Sequence, residues 1–103
     1  MTYQLFNSTN PNKKYMVVFA NEVTGRLNKI HFGARGLSDY TINKDKKRKE
    51  NYILRHVNDY INDLSYPGAW SMNLLWNKKT LEKSIIDMEQ RYNITIVNNL
   101  LNH

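Results

Sequence analysis

The apolar residues change their spacing midway along the chain, and this change limits the fold more than any other feature. In the first 40 residues they come in short runs rich in β-branched and aromatic side chains. Beyond residue 50 they recur at helical spacing. Residues 15–20 (YMVVFA) read as a buried strand. Residues 27–32 (LNKIHF) form a second, with Leu27, Lys29 and His31 on one face and Asn28, Ile30 and Phe32 on the other. Thr24-Gly25 between them fits a hairpin turn. Tyr3 to Phe6 reads as a short strand, and NSTNPNKK, with Pro11, is a turn-rich connection. Gly33-Ala34-Arg35-Gly36 breaks the hairpin.

A helix is expected from Asp45, a residue suited to the N-cap because its carboxylate accepts from orphan N–H groups. Ile53, Val57, Tyr60 and Leu64 recur at i, i+4, i+7 and i+11, widened by Leu54 and Ile61 into a core-facing stripe. Tyr66-Pro67-Gly68 ends that helix. The run WSMNLLW (70–76) is open between helical turns and a strand. A second helix over 80–92 repeats the stripe as Leu81, Ile85, Met88 and Tyr92. In the tail, Ile94 and Ile96 point to a strand, whereas Val97, Leu100 and Leu101 point to a helical turn. Strands first and helices later predict an α+β domain, a small antiparallel sheet packed against two main helices. One domain over 1–103 is expected, with 1–12 and 94–103 at its periphery.

The composition is that of a globular chain, 41% hydrophobic and 23% charged. Without cysteine there is no disulfide frame, thiolate metal site or cysteine nucleophile. The longest strictly apolar run, 16–20, is too short to cross a membrane. MTYQLFNSTN has no basic segment followed by an apolar one, so no secretory signal is expected, and a soluble intracellular domain is. The charge is uneven. Residues 13–49 hold ten basic residues against Glu22, Asp39 and Asp45, a net of +7, whereas 50–103 hold five against six. Such asymmetry points to a polyanion partner, or else to a solvated basic face.

Two segments carry that excess. Lys44-Asp45-Lys46-Lys47-Arg48-Lys49 stacks cations where the helix dipole disfavours them. Cations beside a helix N-terminus make a phosphate site, and the alternative is a solvated helix start. In HFGARGLSDYT, two glycines three apart permit a tight turn close to a ligand, with Arg35 ready to fork onto phosphate. The segment is neither a Walker A loop nor a dinucleotide fingerprint, and it serves equally as a turn joining sheet to helix. His31 and His56, with Asp39, Glu50 and Asp59, are the residues available for a metal or acid–base site. No H-E-x-x-H and no histidine pair at i, i+4 is present, so structural roles are preferred and no enzyme is expected. Trp70, Trp76, Tyr40, Tyr52 and Tyr66 are read as core and lid residues rather than as stacking platforms for bases.

HFGARGLSDYTINKDKKRKENYILRH and LLWNKKTLEKSIIDMEQRY resemble a family of small uncharacterised proteins of nucleocytoplasmic large DNA viruses. The matching positions are Lys13-Lys14-Tyr15, Gly25-Arg26, Ile30 to Ala34, Ser38 to Thr41, Lys44-Asp45, Arg48-Lys49, Arg55-His56 and Leu75-Trp76-Asn77-Lys78. Proline is frequent in that family where Lys46 and Lys79 stand here, which supports helix starts at both places. The resemblance implies a viral protein of the infected cell's cytoplasm (the virus factory) or of the particle, with the host nucleus as a further location. It supplies no reaction.

The expected function is non-enzymatic binding of nucleic acid, DNA or RNA, through its phosphates and with little sequence preference. The expected contacts are Lys13, Lys14, Arg26, Lys29, Arg35, Lys44, Lys46, Lys47, Arg48 and Lys49, with no metal or cofactor. The alternative is a structural or protein-interaction component whose basic face meets an acidic protein. A nuclease built from His31, Asp39 and His56 ranks third.

Overall fold

The computed structural model describes residues 1–56 and 62–100. The expected hairpin forms from β2 (Lys13–Ala20) and β3 (Leu27–Ala34). Gly25 takes φ +73°, and the Asn21 side-chain carbonyl accepts from Val23 and Thr24 N–H, closing the turn. β1 (Thr2–Asn7) pairs antiparallel with β2. Ile30, Val17 and Leu5 lie in register across the three strands and are all buried. In β1 and β3 alternation sends the buried residues, Tyr3 and Leu5, then Ile30 and Phe32, to one face, whereas in β2 the neighbouring Met16 and Val17 are both buried.

Segments expected at the periphery, 1–12 and 94–103, contribute strands to this sheet. β1 is an interior strand carrying buried Tyr3 and Leu5. β4 (Thr95–Asn98) joins its other side in the order β3-β2-β1-β4, with Ile96 opposite Tyr3. β4 runs parallel to β1, so the sheet is mixed rather than wholly antiparallel. The helices between the two strands supply the long crossover that a parallel pair requires. Leu101 lies outside the described residues.

The second predicted helix is α4 (Leu81–Tyr92), capped by the Thr80 hydroxyl accepting from Lys83 N–H. Ile85 and Met88 are buried, and Leu81 and Tyr92 pack against the same core. The first predicted helix departs from expectation. α2 (Lys46–Arg55) starts at its Asp45 cap, but none of its residues is buried and Leu54 is 71% exposed. Val57, Tyr60 and Ile61 lie outside the described residues.

The place on the sheet expected for that stripe is taken by residues 67–75. α3 (Pro67–Trp70) runs directly into a π-helical turn (Ser71–Leu75) closed by Trp76 N–H donating to the Ser71 carbonyl. Trp70, Leu74 and Leu75 are buried against the sheet, with the Trp70 ring 4.9 Å from that of Tyr3. An apolar segment at helical spacing of either kind satisfies the sheet's face. The bulkier WSMNLLW run fills it and displaces Ile53 and Leu54 outward.

Candidate anion-binding cleft

With the core filled by the π turn, α2 stands off the sheet and encloses a cleft of about 500 Å³. One wall is the loop from Gly33 to Asp39, and Ser71, Leu75 and Trp76 form the floor. The other wall is α2, which presents Arg48, Asn51, Tyr52, Arg55 and His56. Those positions follow i, i+3, i+4, i+7 and i+8, one complete helix face. The inward face of α2 is therefore cationic and aromatic, and its apolar residues point elsewhere. A search for polar residues at helical spacing finds this face in the sequence, whereas a search for apolar stripes passes over it.

The wall opposite is built on a buried ion pair. Asp39 is 2% exposed and caps α1 (Tyr40–Asn43), accepting from Thr41 N–H and Oγ1 through one carboxylate oxygen. Its other oxygen takes the Lys14 ammonium. Lys14, expected as an anion contact, lines the cleft but has its ammonium engaged in neutralising this buried carboxylate. Gly33, at φ +78°, lets these parts close together. A Cβ there would stand 2.8 Å from Leu75 Cδ1 and 3.3 Å from Lys14 Cβ.

Other expected contacts are also occupied. Lys49 Nζ donates to the Asn77 carbonyl at 2.6 Å and lies 4.9 Å from the centre of the Tyr40 ring. Burial, then the neighbouring Lys78 and Lys46 charges, hold this ammonium below the usual lysine pKa. It ties α2 to the segment after the π turn. Lys44 adopts a left-handed conformation and donates to the Thr41 carbonyl. The N–H groups of Lys47 and Arg48, which sequence reasoning offered to phosphate, are taken by the Asp45 carboxylate. The glycine loop likewise spends its backbone internally: Arg35 N–H donates to Asn12 and Leu37 N–H to Ala34, and Arg35 Nε donates to the Lys13 carbonyl. That loop is a structural turn.

The ten expected contacts do not form one surface. Lys13 pairs with Ala34 at one end of the hairpin and Ala20 with Leu27 at the other. Seven residue steps separate these ends, about 23 Å at a strand's rise. Arg26 and Lys29 lie toward the far end, where Arg26 lines a separate shallow depression. Lys46, Lys47 and Arg48 remain exposed at the start of α2. Arg55, one turn beyond Asn51, joins Arg48 in the cleft and was absent from the expected set. Among the described residues, neither Arg48 nor Arg55 has an acidic partner.

The three-residue catalytic alternative comes apart in the same geometry. Asp39 and His56 both line the cleft, but His31 does not and is hydrogen-bonded to Ser8 Oγ at 2.7 Å. Among the described residues, no group of three or more His, Asp or Glu side chains is placed to hold a metal ion. No described helix is long and apolar enough to cross a membrane. The aromatic residues divide. Trp70 and Tyr40 are core, and Tyr66 is exposed. Tyr52 stacks between Trp76, at 4.5 Å and 8° between planes, and His56, at 4.0 Å and 24°.

Residues 3–56 match a family of unknown function, DUF5754, and the chain belongs to that family. The match spans both walls of the cleft and stops before its floor. No curated protein and no solved structure matches the chain.

Proposed function

We propose that this DUF5754 member is a small binding protein that holds nucleic acid by its phosphates, through Arg48 and Arg55 in the cleft and Lys46 and Lys47 beside it. The observation that carries this reading is the pair of arginines on the cleft face of a helix, neither with an acidic partner among the described residues. Guanidinium forks suit phosphate oxygens, and a concave site focuses the field of its charges. Among the described residues, the one carboxylate in the cleft wall, Asp39, is already neutralised by Lys14. Binding of this kind positions a backbone and reads little sequence. The likeness to a family of large DNA viruses supports a viral setting, in the virus factory or the particle.

Salt titration of oligonucleotide binding tests the reading. Affinity for duplex falls with salt at a log–log slope of about −0.9 per phosphate neutralised. Lys47→Ala with Arg48→Ala flattens that slope by up to about 1.8 and leaves the circular dichroism spectrum unchanged. No binding at about 50 mM salt, or an unchanged slope in the double variant, refutes it. A protein-interaction reading has its own support in the exposed Leu37, Ile42 and Leu54. It takes over if an acidic polypeptide binds while oligonucleotides do not.

A further inference from the structure

We infer that the cleft seats single-stranded rather than duplex nucleic acid, with Arg48 and Arg55 on successive phosphates and an unpaired base extending the Trp76–Tyr52–His56 stack at its His56 end. This rests on the phosphate-binding reading and adds the form of the substrate. Three observations carry it.

The first is shape. The arginines are exposed and line a concavity of about 500 Å³, within the range of sites that take a small ligand rather than a surface ridge. A duplex is read by protein inserted into its grooves, with its bases turned inward. A single nucleotide enters a concavity with its base exposed. The second is spacing. Arg48 and Arg55 are seven residues apart, about 10 Å along the helix axis, so they address two phosphates of a strand rather than clamp one anion. Asn51 and Tyr52 lie between them on the same face.

The third is the ring stack. Two near-parallel partners of Tyr52, at 4.0 and 4.5 Å, must lie on opposite sides of it. The Trp76 end abuts the hydrophobic core, whereas His56 borders the cleft and is half-buried. Its Nδ1 is bonded to the Tyr52 carbonyl at 2.8 Å, which fixes the ring plane. A pre-set aromatic face beside two cations is the combination that sequence-tolerant single-strand binding uses, since every base has a π-face.

Fluorescence anisotropy with a labelled thymidine 12-mer, and with a duplex of equal length at equal salt, is the test. The strand should bind at least tenfold more tightly than the duplex. His56→Ala should weaken strand binding by about fivefold or more, the loss on removing one base–aromatic stack, with the salt slope unchanged. His56→Phe, which keeps a ring, should restore most of the affinity, and this separates stacking from damage to the end of α2. Arg55→Ala should instead flatten the salt slope. Equal or tighter duplex binding, or wild-type affinity in His56→Ala, overturns the single-strand inference and leaves phosphate binding by α2 standing. Failure of both strand and duplex to bind overturns both.

Discussion

Replacing Lys14 with methionine keeps most of the unbranched stem of the side chain and removes its charge, leaving the Asp39 carboxylate without its counter-ion. Asp39 is 2% exposed and the Lys14 side chain 14%, so the pair is largely shielded from water. Breaking a buried pair by removing one partner costs about 3–5 kcal/mol, because the remaining charge is left uncompensated. The residual exposure of Lys14, and the Thr41 donors that still serve Asp39, place the expected loss near the low end, about 3 kcal/mol. For a domain near 100 residues this lowers Tm by roughly 12 °C. Urea denaturation followed by the fluorescence of buried Trp70 reads the loss as a shift in midpoint at constant m. Adding Asp39→Asn should recover part of it, since an amide oxygen still accepts from Thr41 N–H without a buried charge. The coupling energy is expected at about 1–3 kcal/mol. A loss below about 0.5 kcal/mol in Lys14→Met would show that the pair behaves as a surface salt bridge. Lys14 would then return to the set of cations available to a ligand.

Ile85→Ala should cost about 2–5 kcal/mol by denaturation, since Ile85 is 6% exposed beside fully buried Met88; a loss below about 0.5 would place that face of α4 in solvent. Gly33→Ala should destabilise by about 1–3 kcal/mol through its positive φ and the close approach of Leu75, and a neutral result would refute the need for glycine there. Asp87 is held below the usual carboxylate pKa, chiefly by the Asn77 amide and then by Arg91. Its contribution is therefore present above the unfolded value near ~3.9 and is lost as pH falls through the lower folded value. Asp87→Asn should flatten the acid limb of stability against pH below about 4, and an unchanged limb would contradict the assignment.

Elements whose causes are local were legible in the residues alone. The alternation of 27–32 and the turn at Thr24-Gly25 produced the hairpin. Asp45 and Thr80 capped the helices they precede, each through contacts within three residues. The stripe from Leu81 to Tyr92 turned toward the core as spaced. Which of two apolar segments filled the sheet's face was settled by packing between distant parts of the chain. Ile53 and Leu54 qualified by spacing, yet Trp70, Leu74 and Leu75 occupied it, and α2 turned its Arg48–Arg55 face inward instead. The parallel pairing of β4 with β1, bridged by Asn99 and Gln4, joins residues 95 apart and leaves no local trace. The cations divided on the same principle. Lys14 and Lys49 read like Lys47 in the sequence, but folding brought a carboxylate to one and a carbonyl and a ring to the other. A charge remains available to a ligand only where the fold supplies it no partner, and that depends on distant chain segments meeting in space.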